Sequence, residues 1–269
     1  RSPVAQDEGH HILILSDRGA DASNAPIPAL LAVGAVHHHL IRQGRRMRAD
    51  IVVETGEAWE VHQFALLLGY GASAVNPYLA LETARSLEGS RGLESLDAAT
   101  LVKNFVKAVE AGILKIMSKM GISTLSSYRG AQIFEALGLS QELIDRAFVG
   151  TPSRIGGIGL REVAAEVLRL HMEAFGEDSE AKLKDYGFIR YRRDGEYHAF
   201  NPHVVRAMHR AVENDSYEAY KVFSELADQR EPATLRDLLR LRSRGPIPID
   251  EVEPVERIRQ RFISTAMSL

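Results

Sequence analysis

Three polar residues fall where an α/β protein places its chemistry. Asp17 follows the apolar run His11 to Leu15, Glu54 follows Ile51 to Val53, and Asn76 follows Ala74 and Val75. Each therefore sits at the carboxyl end of a segment with the make-up of a buried strand. Strands alternating with helices pair in parallel, and their carboxyl ends share one rim where a small ligand would bind. Polar strand ends also serve as plain solubilising features, so both readings stand here. A second candidate is the segment Ser153 to Gly159, which offers flexible backbone at Gly156 and Gly157 and one cation, Arg154, before a helix opening at Leu160. That pattern suits an anion. A loop that only turns the chain between helices accounts for the same glycines.

Other combinations fail on geometry. His37, His38 and His39 are consecutive, and on a helix they point about 100° apart, so they do not converge on one metal ion. Gly69-Tyr70-Gly71-Ala72-Ser73-Ala74 matches a dinucleotide-binding signature in letters only. Its glycines leave a helix and precede a strand, the reverse of the required order, so Gly69 is expected to end the helix and Gly71 to make the turn. There is no cysteine, which excludes disulfides, thiol nucleophiles and thiolate ligation of an iron–sulfur cluster by this chain.

The supporting elements follow from periodicity. Ala25-Pro26-Ile27-Pro28 leads into a helix through about Arg42, and Val61 to Leu68 forms the next one, giving two β–loop–α units before a third short strand at Ala74. From Tyr78 to Phe175 the pattern is helical, over about 78–89, 97–120, 129–137, 141–147 and 160–175. The second of these runs into Gly121. Ser123 is placed to cap the short turn that follows, and Ala131, Ile133, Phe134 and Leu137 give a further apolar face closed by Gly138. Lys115, Lys119, Tyr128 and Arg129 crowd the break, where either a cleft or plain surface solvation explains them.

An acidic, small-residue stretch at Glu177 to Glu180 marks a boundary, dividing the chain into residues 1–180 and 181–269. Beyond it, Phe188 to Tyr191 and Glu196 to Phe200 flank a turn and predict a β-hairpin. Helices follow at His203 to Glu213, Ser216 to Ala227 and Thr234 to Leu241, then a strand at Arg261 to Met267. The expected class is thus α/β, with βαβ units and a parallel sheet, then a largely helical region, then a short α+β segment leading into an incomplete barrel.

Composition sets the outer limits. The 269 residues are 45% hydrophobic, enough for a sizeable core. The balance of 33 basic against 36 acidic residues offers no nucleic-acid face. Arg45, Arg46 and Arg48 form the densest basic cluster, which a solvated helix end explains. No apolar run approaches the roughly 20 residues that span a bilayer, and no signal pattern opens the chain, so a cytoplasmic location is expected, or a plastid one for a photosynthetic source.

Several runs resemble the large subunit of glutamate synthase. They are ILILSDRG with APIPALLAVGAVHHHLI, then KIMSKMGIST with SYRGAQIFEALGL, then SRIGG at Ser153 to Gly157, GEYHAFNP at Gly195 to Pro202, and TLRDLL with FISTAMSL. They cover nearly the whole chain from His11 onward, in the family's order. The resemblance implies that residues up to about 180 are the latter part of the central domain and those after it the opening segment of the FMN-binding barrel. It also implies a parent enzyme that hydrolyses glutamine at an N-terminal cysteine, channels ammonia and aminates 2-oxoglutarate at FMN. Electrons there come through a 3Fe-4S cluster, from ferredoxin or from a nicotinamide-dependent small subunit.

By the same resemblance Ala266, Met267 and Ser268 fall at the first barrel strand, whose loop helps line the flavin. This chain lacks the N-terminal cysteine, the cluster cysteines and most of the barrel, so the expectation is a connective piece that is inactive and cofactor-free alone, with the remaining domains of the enzyme as its partners. The alternative is an independent α/β module binding a small ligand or anion at the rim or at Arg154.

Overall fold

The computed structural model describes residues 7, 9–176 and 185–261. The chain divides into two units, residues 1–181 and 182–269.

The first unit is built on a parallel sheet. Strand β1 (Ile12–Ser16), helix α1 (Ala29–Arg42), strand β2 (Asp50–Glu54), helix α2 (Val61–Gly69) and strand β3 (Ala74–Asn76) follow one another, with sheet order β1-β2-β3. Ser16 is level with Glu54, and Glu54 with Asn76. Local chemistry sets the helix starts. The carboxylate of Glu57 accepts the Ala29 N–H at 2.7 Å, and at the start of α2 the Gln63 side-chain oxygen accepts the Glu60 N–H at 2.9 Å. One face of the sheet is packed, with Ile51 and Val53 buried against Val33, Phe64 and Ala65. The other face carries Ile12 and Ile14, which are 63% and 64% exposed.

Helices α3 (Tyr78–Ser86) and α4 (Ala98–Lys119) come next, and Asp97 caps α4 by accepting the Thr100 N–H at 2.8 Å. Gly121, at φ +68°, ends the run as expected. The single turn α5 (Leu125–Tyr128) is capped by Thr124, one residue beyond the expected Ser123. The helix expected over 129–137 is absent. Gly130 and Gln132 adopt φ of 72° and 55°, which a right-handed helix does not tolerate. The apolar residues there still bury, as Phe134 stacks on Tyr70 with ring centres 5.7 Å apart.

The expectation of an all-helical middle is corrected by two short strands. Strands β4 (Leu137–Leu139) and β5 (Ile155–Ile158) pair in parallel across helix α6 (Gln141–Ala147), and α7 (Leu160–Phe175) follows. A Cβ on Gly157 would lie 2.1 Å from the Gly138 carbonyl oxygen, so this pair closes only because glycine stands there.

The second unit contains the helical hairpin α8 (Pro202–Glu213) and α9 (Tyr217–Asp228), capped by Asn201 and Ser216. The expected β-hairpin is not formed: residues 188–200 contain bends, turns and irregular backbone but no strand. Tyr186 O accepts the Glu196 N–H at 2.7 Å and His198 Nε2 donates to Gly187 O at 2.6 Å, which fold the segment into a tight loop. The helix expected at 234–241 shrinks to a 3-10 turn at Leu235–Leu238, where Asp237 takes a bidentate bond from Arg230 at 2.7 and 2.9 Å. A second 3-10 turn, Ile249–Glu251, and the short helix α10 (Val255–Arg259) lie between that turn and the position expected for the last strand. That strand lies outside the described residues beyond Arg261, as do Ala266, Met267 and Ser268.

Candidate functional site

Parallel pairing brings Asp17, Glu54 and Asn76 to one rim, as the strand ends predict. Glu54 is the hub. Its carboxylate accepts from Ser16 Oγ at 2.6 Å, from Arg18 Nε at 2.8 Å and from Asn76 Nδ2 at 3.3 Å. Arg18 lies over the Tyr78 ring, 4.0 Å from its centre, and reaches 3.9 Å from Glu82. Beside it, Asp17 accepts the Thr55 hydroxyl at 2.6 Å and the Gly56 N–H at 2.9 Å.

The electrostatics match this bonding. The hydroxyl of Ser16 and the guanidinium of Arg18 hold the Glu54 carboxyl below its ordinary range. Burial, then the bond and charge of Asp17, push the Tyr78 phenol up to about 12. Burial also raises Glu57, whose carboxylate sits against the start of α1. A carboxylate held below its normal range is a poor proton acceptor, and a phenol at about 12 a poor donor, so neither is tuned for acid–base work near neutrality.

A cleft of about 490 Å³ lies alongside, lined by Ile14, Asn24, Pro26 and Ile27 as well as Ser16, Asp17 and Glu54. The sequence reading missed Arg18, Thr55, Glu57 and Tyr78, which complete this rim. Arg18 adjoins Asp17 and Tyr78 opens the helix after Asn76, so adjacency was the available signal.

The second candidate is reshaped. The segment expected to be a flexible loop contains β5, which holds Gly156 and Gly157 in a paired strand. Arg154 Nε lies 3.5 Å from Glu135 Oε1, and the Gly159 N–H at the start of α7 donates to its own helix's Glu162 at 2.8 Å. The four residues around the helix break are divided: Lys115 and Lys119 are exposed, Tyr128 is fully buried, and Arg129 donates to Ser73 Oγ at 2.7 Å. Gly69 is the last residue of α2 and Gly71 turns the chain at φ +122°. Gly69 also makes room for Phe134, which a Cβ would meet at 2.6 Å. His37 Nδ1 accepts from Arg46 Nε at 2.9 Å, and among the described residues no group of three or more His, Cys, Asp or Glu could hold a metal ion.

Fold and rim together define an α/β protein of βαβ units whose strand-end polar groups are bonded to one another. Residues 2–140 match the family model for the glutamate synthase central domain, and residues 198–269 match the one described as a conserved region in glutamate synthase. The chain belongs to the glutamate synthase family.

Over 274 residues it is 50% identical to the ferredoxin-dependent glutamate synthase of Pyropia yezoensis, a match covering 97% of this chain and 18% of that protein. It is 48% identical over 278 residues to the chloroplastic ferredoxin-dependent enzyme of Oryza sativa subsp. japonica, covering 99% of this chain and 17% of that one. With the glutamate synthase [NADPH] large chain of Bacillus subtilis it shares 44% over 265 residues, covering 98% and 17%. The chain thus spans under a fifth of the length of these relatives. No described helix is long and apolar enough to cross a membrane.

Proposed function

We propose that this chain is the connective part of a glutamate synthase large chain, joining the latter part of the central domain (residues 1–180) to the opening segment of the FMN-binding domain (residues 181–269). The parent enzyme, in this reading, makes L-glutamate from L-glutamine and 2-oxoglutarate by reductive amination. The observation that carries the reading is the closed rim, where the carboxylates of Asp17, Glu54 and Glu57 all accept hydrogen bonds from within the chain. Such groups hold strand ends and helix starts in register and leave little to bind or activate a substrate.

Two further observations support it. Parallel sheets are normally covered on both faces, and the bare Ile12 and Ile14 face is what a sheet shows when its cover belongs to the rest of a larger protein. The two family matches also lie in one order along the chain, central domain first. An iron–sulfur cluster does not fit this chain, which has no cysteine to bind it. Its thiolates would come from elsewhere in the parent, as would the surface that meets ferredoxin or a nicotinamide-dependent subunit.

Native mass spectrometry and a flavin absorbance scan of the purified chain, with and without added FMN, test the proposal alongside glutaminase and synthase assays. The expected result is no retained flavin and no turnover. Stoichiometric flavin or measurable turnover would overturn it in favour of a complete site.

A further inference from the structure

At the other end of the same sheet, three arginines line one cleft. Arg46 and Arg48 belong to the 3-10 turn before β2, and Arg129 follows α5. With His11, Asp50 and Ser126 they line a cleft of about 460 Å³. The sequence explains this basic cluster as a solvated helix end, but Arg46 is only partly exposed and held in place.

Arg46 donates to His37 Nδ1 at 2.9 Å, to Ala49 O at 2.7 Å and to Gly71 O at 2.8 Å. All three acceptors are uncharged, so the cation is oriented without a counter-ion in contact. Arg129 is positioned by Ser73 Oγ at 2.7 Å and lies 3.6 Å from Asp50 Oδ1. The two guanidinium charges repel: burial, then the charge of Arg129, lowers the proton affinity of Arg46. Asp50 is the one carboxylate among the lining residues, and the Ser73 hydroxyl already donates to it at 2.5 Å. Three arginines against one aspartate leave an excess of two positive charges in the cleft. The Arg48 guanidinium is exposed and, among the described residues, engages no carboxylate.

We propose that this cleft binds a free, compact dianionic oxyanion of the phosphate class, held by Arg46, Arg48 and Arg129. Guanidinium groups present fixed N–H forks that match tetrahedral oxyanions, and two of the three here are oriented in advance. Overall attraction does not explain such binding, because the chain as a whole carries a formal charge of −3.

The test is calorimetric titration of the full chain with sodium phosphate at pH 7.5, against sodium chloride at equal ionic strength. Saturable one-to-one binding of phosphate is expected. Arg48→Ala, at an exposed position, weakens it about tenfold, while Arg85→Ala, at an exposed position on α3, leaves it unchanged. Asp50→Asn keeps an acceptor for Ser73 and tightens binding severalfold. Circular dichroism confirms that each variant is folded. No saturation beyond chloride, wild-type affinity in Arg48→Ala, equal loss in Arg85→Ala, or weaker binding in Asp50→Asn would each overturn the proposal.

Discussion

Asp17 and Thr55 close the carboxyl ends of β1 and β2 on each other, the Thr55 hydroxyl donating to the Asp17 carboxylate at 2.6 Å while Thr55 itself is only 1% exposed. Asp17→Ala would leave that hydroxyl and the Gly56 N–H without an acceptor. An expected loss of about 1–3 kcal/mol follows, read by urea denaturation. Asp17→Asn retains an acceptor and loses less; equal losses would show that the carboxylate's charge, rather than its bonding, holds the rim.

Tyr128 is completely buried, and its hydroxyl is the one buried side-chain polar atom among the described residues with no hydrogen-bond partner. The residue lines a small pocket of about 190 Å³ with Tyr70, Gln132 and Thr151. Removing an unpaired buried hydroxyl relieves its desolvation cost, so Tyr128→Phe is expected to raise stability by about 1 kcal/mol in the same denaturation experiment. A loss of stability instead would reveal a water or other polar group bonded there.

Helices α1 and α6 touch through Gly34, where a Cβ would come within 2.2 Å of the Ala147 carbonyl oxygen. Ala147 ends α6 and is fully buried, so its backbone has little room to shift, and Gly34→Ala is expected to cost about 1–3 kcal/mol despite the better helix propensity of alanine. Gly156→Ala, which meets nothing within 4 Å, serves as the control and leaves the thermal midpoint near its original value.

His37 gives the first unit a defined acid response. Burial, then the charge of Arg46, lowers its pKa from 6.5 to about 4. The unfolded chain therefore takes up the proton more readily than the folded one, so stability is full above about 6.5 and declines as pH falls toward about 4. His38 is lowered in the same direction by burial and adds to the slope. His37→Gln keeps a side-chain acceptor for Arg46 without titrating, and its midpoint-against-pH curve should be flatter between pH 6.5 and 4 than the parent's. An unchanged slope would place the acid sensitivity elsewhere.

The elements legible in the sequence are those whose signals are local. Strands β1 to β3, helices α1, α2, α4 and α7, and the stop at Gly121 all follow from apolar periodicity and glycine placement within a few residues. The shared rim of Asp17, Glu54 and Asn76 was legible for the same reason, because parallel pairing sends every strand's carboxyl end to one side. Family membership was also legible, since long ordered runs of residues carry it without any coordinates.

What tertiary structure decided is whatever depends on residues meeting from far along the chain. Strands β4 and β5 are three and four residues long and rich in glycine, so only their pairing across α6 makes them strands. The pattern at Ala131 to Leu137 imitates a helix, yet left-handed backbone at Gly130 and Gln132 breaks it while Phe134 still buries against Tyr70. Likewise the sequence places carboxylates at the rim but does not say whether they are free. Arg18 and Thr55 bond them across the strand pair, to partners 36 and 38 residues away, and Arg129 is carried to Arg46 and Arg48 in the same way. Side-chain chemistry is written residue by residue, whereas the partner that satisfies or strands each group is set by packing over long separations.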